Sequence, residues 1–282
     1  MAIRSLLLTV AIVILVLVGL RLLVRAIEPR MAFFPWHGEH ETPSSYGVAF
    51  EPRSIRTSDG ETLRAWWIPH PDPLADVVYF HGNGGNLSIW VDILLGVHAR
   101  RFSVLAVDYR GYGVSSGRPT EQGLYRDVEA TLEHFHAQLK TPARPVIYWG
   151  RSLGCSMAAY AATRRSPDGL VLEAGFPDVS SLVRGSLMLG PLAWFASYRF
   201  ATAAMLQDHE VPMLVMHGDR DSVIPFEQGK QLFDQLRTTK KRFHTIEGGD
   251  HNDAVPNHAE DYWRAVYELV NGLGTEVARS GG

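Results

Sequence analysis

GRSLG, residues 150–154, follows the apolar run 146–149 and leads into the alanine-rich residues 155–162. This pattern predicts a strand, a sharp turn and a helix, with Ser152 at the tip of the turn. Gly150 and Gly154 have no Cβ, so the chain can turn tightly and pack closely around the serine. The Ser152 hydroxyl is then exposed above the sheet. The N–H of Leu153 lies at a helix N-terminus, where partial positive charge suits an oxyanion.

The same pattern also fits an ordinary glycine-flanked turn without chemistry, so the partners of Ser152 decide between the two interpretations. A serine hydroxyl is a weak nucleophile at neutral pH. It needs a base within hydrogen-bonding reach and a third group that orients the base. In one known arrangement of such groups on an α/β sheet, the acid and then the histidine follow the serine along the chain.

Two aspartates follow the apolar strand predicted at residues 213–216, in the stretch HGDRDSVIP (217–225). Asp219 and Asp221 both lie just beyond the carboxyl end of this strand, at the same sheet edge as Ser152. We choose Asp221 as the acid because the Val-Ile-Pro that comes after it indicates the return into a helix. Glu173 and Asp178, which follow the strand predicted at 170–172, are the alternatives. Asp178 also fits a helix N-cap.

The base is predicted from the last strand, 243–246, and the glycine-rich loop EGGDHND (247–253) that follows it. The chain contains 12 His, so an isolated loop histidine is usually a solvated surface residue. His251 differs because its loop, its place in chain order and its position after a strand all match the requirement. His251 is therefore our candidate general base.

The second oxyanion donor is predicted in HGNGGN (81–86), between the strand 77–80 and a helix. We assign the backbone N–H groups of Asn83 and Leu153 to the oxyanion hole. A phosphate-binding loop is the competing interpretation, but neither G-x-x-x-x-G-K-[ST] nor a G-x-G-x-x-G after the first strand is present. His81 is expected to orient this loop rather than act as a second base.

A further glycine-rich loop, DYRGYGVSSG (108–117), follows the strand 102–107. We expect it to support the sheet edge, with an ion pair between Asp108 and Arg110.

Taken in order, HGNGGN, DYRGYGVSSG, GRSLG, HGDRDSVIP and GGDHND resemble the α/β-hydrolase superfamily, and within it the membrane-anchored serine hydrolases of the abhydrolase-domain group. The resemblance covers residues 53–272. It implies a Ser152–His251–Asp221 triad that hydrolyses esters, thioesters or related acyl compounds through an acyl-serine, without a cofactor. Cys155 departs from the small glycine or alanine frequent at that position, but cysteine is small enough to pack there.

Two other functions stay open at this point. A serine peptidase or amidase would use the same triad, although the short cap and the lack of a propeller-like domain disfavour a large peptide-processing enzyme. A catalytically silent, membrane-tethered scaffold on the same fold usually lacks a triad member, whereas all three are present here.

Apolar strands and helical segments alternate along residues 53–270, which predicts an α/β protein with a mostly parallel eight-stranded sheet covered by helices on both faces. We predict strands at 53–57, 62–68, 77–80, 102–107, 146–149, 170–172, 213–216 and 243–246, and helices at 87–98, 121–139, 153–164, 226–236 and 257–270. The apolar segment 177–206, with Met188, Leu189, Trp194, Phe195 and Met205, is either a short cap that forms one wall of an acyl pocket or a core-facing helix.

Composition indicates which kinds of binding partner and metal the protein is expected to lack. The 282 residues carry 27 basic and 30 acidic side chains, for a formal net charge of −3, and no basic stripe that would favour nucleic acid. The single Cys excludes an internal disulfide, and no Cys/His spacing typical of zinc is present, so we expect no metal. The expected partners are a small-molecule acyl substrate and a membrane.

The first thirty residues differ from the rest. Residues 5–20 are uncharged, and Arg21 can extend its charged end to the interface, which lengthens the apolar run to Val24. About twenty helical residues span about 30 Å, the thickness of a bilayer core. A buried helix is disfavoured because the run is apolar on all sides, and a cleaved signal peptide is disfavoured because no clear A-x-A site follows. We therefore predict an uncleaved signal anchor.

The predicted organisation is an anchor at 1–30, a hydrolase domain at 31–272 and a disordered tail at 273–282. One arginine, Arg4, precedes the uncharged run 5–20, while three arginines come after it: Arg21, Arg25 and Arg30. This distribution slightly favours a cytoplasmic catalytic domain. The aromatic residues just beyond the span, in MAFFPW (31–36), are expected either at the interface or packed on the domain. A membrane tether and an apolar cap suggest a lipid-derived or acylated substrate.

Overall fold

The computed structural model describes residues 2–184, 197–253 and 259–280, and it contains one large sheet of eight strands and one small sheet of two. The strands are β1 (Phe34–Pro35), β2 (Glu51–Arg56), β3 (Thr62–Ile68), β4 (Ala75–Phe80), β5 (Gly84–Gly85), β6 (Phe102–Val107), β7 (Val146–Arg151), β8 (Gly169–Glu173), β9 (Met213–Gly218) and β10 (Lys241–Ile246).

The large sheet has the order β10-β9-β8-β7-β4-β6-β3-β2. Strand β3 pairs antiparallel with β2 and β6, and every other pairing in this sheet is parallel. The predicted α/β class with a mostly parallel eight-stranded sheet is therefore confirmed. Because the strands other than β3 run in the same direction, the loops that follow β4, β7, β8, β9 and β10 meet at one edge of the sheet.

Helices cover both faces of the large sheet, as the sequence predicted. They are α1 (Ala2–Ala32), α2 (Leu87–His98), α3 (Glu121–His134), α4 (Leu153–Arg164), α5 (Val179–Arg184), α6 (Thr202–Leu206), α7 (Phe226–Gln235) and α8 (Ala259–Ser280). One apolar core contains side chains of α3, α4, α6 and α7, and the other contains side chains of α2 and α8. Central strands such as β4 and β6 are buried along their whole length, which explains their continuous apolar sequences.

The turn between β7 and α4 holds Ser152 in an unusual backbone conformation. Its φ is 56° and its ψ is −121°, in a region that side-chain-bearing residues seldom occupy. The flanking glycines make this turn possible. A Cβ on Gly150 would overlap the carbonyl of Gly154, and a Cβ on Gly154 would overlap the carbonyl of Phe80 at the end of β4. The two glycines thus let α4 begin directly against the neighbouring strand.

Helix α1 begins at Ala2, and within the described residues it is the one helix long and apolar enough to cross a membrane, over Ile3–Arg30. Its end contacts the rest of the chain through Glu28, whose carboxylate accepts hydrogen bonds from the N–H of Ser197 (2.8 Å) and of Tyr198 (2.9 Å). Phe33, one residue beyond the helix, packs edge-on against Tyr198 and Phe200. The apolar helix therefore continues directly into the folded domain.

The sequence prediction missed or misplaced several elements. Strands β1 and β5 were not predicted because each has only two residues and lacks an apolar alternation. The helix predicted to Leu139 is α-helical only to His134 and ends in a π-helical turn. Helix α8 continues to Ser280, so the backbone is helical where a disordered tail was predicted from 273. The reason is that Glu276, Ala278 and Arg279 favour a helix once α8 has started.

The predicted cap, 177–206, contains α5 and α6 at its two ends. Met188, Leu189, Trp194 and Phe195, which the sequence suggested for an acyl-pocket wall, lie outside the described residues. Met205 belongs to α6 and packs against the core.

The turn geometry generates a stability prediction. Gly154→Ala places a methyl group against the Phe80 carbonyl, so we expect a loss of about 3 kcal/mol or more in the free energy of unfolding. Gly96→Ala is the matched control, because Gly96 is also helical and a Cβ there meets no atom within 4 Å. It should stabilise by roughly 0.5–1 kcal/mol. Thermal unfolding measures both, and equal effects would contradict the proposed close approach.

Candidate active site

Ser152, His251 and Asp221 meet at the carboxyl edge of the large sheet. Nε2 of His251 lies 3.2 Å from Oγ of Ser152, and Nδ1 of His251 lies 2.7 Å from Oδ2 of Asp221. Asp221 is almost fully buried, with 1% of its side chain exposed, whereas His251 keeps 12%. The three residues that the sequence selected from distant loops thus form one continuous series of hydrogen-bonding groups.

The hydrogen-bond partners of two histidines determine where their protons lie. The ionised Asp221 carboxylate only accepts, so Nδ1 of His251 carries a proton and Nε2 of the neutral ring is free to accept from the Ser152 hydroxyl. A second, buried histidine shares the same carboxylate. Nε2 of His217 lies 2.9 Å from the carbonyl of Ile224 and 3.3 Å from Oδ2 of Asp221, so this nitrogen carries the proton that both oxygens accept.

Asp221 stays ionised in this setting. Burial alone would raise its pKa, but hydrogen bonds from His217 and His251, together with the N–H of Ile224, outweigh burial and hold the pKa well below its ordinary value. The charge on Asp221 is therefore maintained through the neutral and mildly acidic range. A permanently ionised carboxylate is the group that can stabilise a positively charged imidazole beside it.

Backbone hydrogen bonds fix the loop after β9. Oδ1 of Asp221 accepts from the N–H of Val223 (2.9 Å) and of Ile224 (2.7 Å), which turns the chain toward α7. This turn agrees with the reason for preferring Asp221. The N–H of Ser222 donates to Oδ1 of Asp250 at 2.7 Å and so joins this loop to the one that carries His251.

The alternative acids have other partners. Asp219, on an exposed loop, accepts a hydrogen bond from the N–H of Gly248 at 2.6 Å. Asp178 accepts from both the N–H and the hydroxyl of Ser181 at the start of α5, so it caps that helix. Glu173 is buried at the end of β8 and faces Arg151. Of these candidate acids, Asp221 is the one hydrogen-bonded to His251.

The predicted oxyanion donors flank the serine. Leu153 is the first residue of α4, so its N–H has no acceptor within the helix. Asn83 follows Gly82, whose α-carbon faces Ser152 so closely that an added Cβ would lie 3.4 Å from the serine Cβ. Neither N–H donates a hydrogen bond to any described residue. Free backbone donors near a serine hydroxyl are what the stabilisation of a developing negative charge would require.

Aromatic side chains hold the loop that contains Asn83. The Tyr112 hydroxyl donates to the backbone carbonyl of Asn83 at 2.8 Å and lies 3.1 Å from its Oδ1. The Tyr109 hydroxyl donates to the carbonyl of His81 at 2.9 Å. The His81 ring is fully buried, and its Nδ1 lies 2.7 Å from the carbonyl of Gly82, which fits the expected structural role.

The prediction of an ion pair between Asp108 and Arg110 was wrong. Oδ1 of Asp108 accepts from the N–H of Leu87 and lies 3.5 Å from Nε2 of His81, so it supports the two ends of the loop that contains Asn83. Arg110 instead pairs with Asp127 and Asp59. The physical reason is that the carboxylate of Asp127, fully buried on α3, needs a cation and pairs with Arg110, whereas the Asp108 carboxylate is already held by the N–H of Leu87.

Sequence reasoning missed Arg151, the residue just before the serine. This side chain is buried, and its Nη2 donates to the carbonyls of His251 (2.8 Å) and Asp253 (2.9 Å). Its Nε lies 3.5 Å from Oε1 of Glu173. Oε2 of Glu173 accepts from the Tyr262 hydroxyl at 2.9 Å and from Nε1 of Trp149 at 3.2 Å. A buried ion pair therefore supports the loop that carries His251.

Within residues 2–184, 197–253 and 259–280, no cluster of three or more His, Cys, Asp or Glu side chains converges in a way that could hold a metal ion.

Comparison with known proteins identifies the family. The sequence model of the family described as alpha/beta hydrolase fold matches residues 77–194, and one described as serine aminopeptidase matches residues 197–253. An uncharacterised protein of Mycobacterium tuberculosis is 30% identical over 246 residues, covering 86% of this chain and 87% of its own. An uncharacterised membrane protein of Saccharomyces cerevisiae is 27% identical over 241 residues, 82% of each chain. The chain belongs to the alpha/beta hydrolases.

Bem46 of Schizosaccharomyces pombe is a further relative, 28% identical over 242 residues, which are 81% of this chain and 79% of that protein. Among solved structures, an esterase of Pyrococcus furiosus superimposes with a TM-score of 0.69 at 16% identity, over 86% of this chain and 97% of its own. A hydrolase of Vibrio vulnificus superimposes with a TM-score of 0.66 at 20% identity, over 80% of this chain and 82% of the Vibrio chain. At these identities the superpositions establish the fold.

The buried ion pair generates a prediction. Arg151→Met leaves the Glu173 carboxylate buried without its cation, which should cost about 3–5 kcal/mol in the free energy of unfolding. Adding Glu173→Gln removes that charge but keeps acceptors for Tyr262 and Trp149. We expect the double variant to be more stable than Arg151→Met alone by roughly 1–3 kcal/mol. Thermal unfolding of the two single variants and the double variant tests this. Strictly additive losses would contradict a direct Arg151–Glu173 interaction.

Proposed function

We propose that this alpha/beta hydrolase is a membrane-anchored serine enzyme that cleaves acyl esters or thioesters. The main support is the hydrogen-bonded series from the Asp221 carboxylate through His251 to the Ser152 hydroxyl. Further support comes from the serine backbone, which is held at a φ of 56°, and from the two free N–H groups beside it. A structural turn would require none of these features.

In the proposed reaction, Oγ of Ser152 attacks the carbonyl carbon of the substrate while Nε2 of His251 takes the hydroxyl proton. The carbonyl oxygen becomes an oxyanion and accepts hydrogen bonds from the N–H groups of Asn83 and Leu153. Asp221 holds the imidazole in the required tautomer and stabilises its positive charge.

The tetrahedral intermediate then collapses. The bond to the leaving alcohol or thiol breaks, His251 returns its proton to that group, and an acyl-serine remains. Water attacks the acyl-serine by the same steps, with His251 again as the base. The products are a carboxylic acid and free Ser152, so the cycle consumes one water and needs no other reactant.

The N-terminal helix supports the location in our proposal. Its apolar stretch Ile3–Arg30 fits a single membrane span, and a yeast relative is named a membrane protein. Arg21, Arg25 and Arg30 lie toward the domain end of this helix and Arg4 toward the other, which favours a cytoplasmic domain. A hydrolase held at a bilayer has immediate access to lipid-derived acyl groups, and these are the proposed substrates.

A peptidase or amidase is the second candidate function. It is favoured by the match of residues 197–253 to a family described as serine aminopeptidase. The two proposals use the same nucleophile and differ in the leaving group, so parallel assays with ester, thioester and amide substrates separate them. Faster turnover of the amide would replace the proposed activity with the second one.

Substitution of the triad tests the mechanism. With a short p-nitrophenyl ester, we expect Ser152→Ala to lower kcat by about a million-fold and to abolish labelling by a fluorophosphonate. We expect Asp221→Asn to lower kcat by about ten thousand-fold, because the imidazole loses the carboxylate that orients it. His251→Ala should be as inactive as the serine variant.

Matched controls accompany these variants. His244→Ala and Asp219→Asn change the same residue types at nearby positions outside the triad and should keep wild-type turnover. A wild-type protein that neither labels nor turns over, or a Ser152→Ala variant with full activity, would overturn the proposed mechanism. A catalytically silent scaffold would give the first of these results.

The oxyanion loop provides a separate prediction. Tyr112→Phe removes the hydroxyl that holds Asn83 without changing the packed ring. We expect kcat to fall about tenfold and KM to stay constant, because the donor is needed mainly in the transition state. Tyr125→Phe is the control, since that hydroxyl binds Glu121 away from Ser152. Steady-state kinetics measure both, and an unchanged kcat in Tyr112→Phe would be the contrary result.

A further inference from the structure

Strand β1, which begins two residues after α1 ends, and Trp36, the residue directly after this strand, present aromatic side chains to the outside. Phe34 is 56% exposed and Trp36 is 60% exposed, whereas Phe33 is only 3% exposed. The backbone pairing with β5 continues through the N–H of Trp36, and alternate residues of a paired, extended chain point to the same side, so Phe34 and Trp36 share one face. Large apolar side chains grouped on a surface mark a site of interaction.

Two further exposed apolar side chains adjoin this face. Ile89 is 53% exposed and packs against the backbone of Gly85, whose carbonyl accepts from the N–H of Trp36 at 2.9 Å. Val114 is 50% exposed and follows Gly113, whose N–H donates to the carbonyl of Trp36 at 2.8 Å. We call Phe34, Trp36, Ile89 and Val114 the juxtamembrane surface.

Chain connectivity limits how far this surface can lie from a membrane. Trp36 is four residues beyond Ala32, the last residue of α1, which allows at most about 14 Å of extended chain. The domain also contacts the helix before its end, through the Glu28 carboxylate and the N–H groups of Ser197 and Tyr198. The headgroup region on one side of a bilayer is roughly 5–8 Å thick. The juxtamembrane surface is therefore within reach of that region.

The residue types also fit a lipid surface. Tryptophan is enriched where a protein crosses from hydrocarbon to water, because its ring combines an apolar body with a polar N–H. Arg25 and Arg30, near the end of α1, can pair with lipid phosphates at the same level.

We infer that the juxtamembrane surface rests in the headgroup region of the bilayer that α1 crosses, so that acyl lipids reach Ser152 from the membrane. This inference rests on the anchoring and the hydrolase activity proposed above. Its structural basis is the pairing of β1 with β5, in which the N–H of Phe34 donates to the carbonyl of Asn83 at 3.4 Å. The surface and the proposed oxyanion donor thus belong to one local unit.

Spin labelling of the full chain in phospholipid nanodiscs tests the location. Trp36→Cys and Ile89→Cys introduce single labelling sites, since the native Cys155 is fully buried. Ala137→Cys is the control, because Ala137 is exposed near the amino edge of the sheet, opposite Ser152. We expect the ratio of oxygen to nickel-chelate accessibility to be several-fold higher at 36 and 89 than at 137. Equal ratios would overturn the inference, as would labels that are immobilised but inaccessible to oxygen.

A kinetic comparison tests the consequence. Trp36→Gln should lower turnover of an ester embedded in the nanodisc several-fold and leave turnover of a short water-soluble ester unchanged. Equal losses on both substrates, or no loss on either, would overturn membrane-side access. A wild-type protein inactive on both esters would overturn the proposed function instead, and the spin-label ratios would still decide whether the surface contacts lipid.

Discussion

A serine in a left-handed backbone conformation, at the junction of β7 and α4, is the constraint on which the rest of the site depends. Such a conformation is unfavourable for a residue with a side chain and persists only where the surrounding structure holds it. Here the support comes from the close approach of Gly154 to the end of β4. The N–H of Ser152 also donates to the carbonyl of Glu173 at 2.8 Å. The result is a hydroxyl directed away from the sheet and a helix N-terminus directly behind it.

The loops around this serine are fixed by buried charge rather than by apolar packing alone. Arg151 points to the opposite side of the strand end from Ser152, where Glu173 balances its charge, and its guanidinium holds the carbonyls of His251 and Asp253. On the other side, His217 and the backbone after β9 fix the Asp221 carboxylate. Each member of the proposed triad thus has a neighbour that sets its orientation, which is the arrangement expected where geometry controls rate.

The parts of the structure that could be predicted from sequence are those that local sequence patterns determine. The continuous apolar strands, their alternation with helices and the glycine-rich turns indicated the sheet and selected Ser152, Asp221 and His251 as neighbours. The roles of Arg151 and His217 could not be predicted, because their partners are distant in sequence and no spacing rule connects them. Strand β1 was missed for the same reason: it exists only because its backbone pairs with Gly84 and Gly85. The Asp108–Arg110 pair was wrong because proximity along the chain is not proximity of side chains.

The central claim is that Ser152, His251 and the N–H groups of Asn83 and Leu153 surround one reacting carbon. A crystal structure of the chain after reaction with a fluorophosphonate tests it most directly, since phosphorus takes the place of that carbon. We expect phosphorus bonded to Oγ of Ser152, its oxygen within hydrogen-bonding distance of both N–H groups, and Nε2 of His251 facing the serine oxygen. An adduct on another residue, or a phosphoryl oxygen directed away from Asn83 and Leu153, would contradict this account.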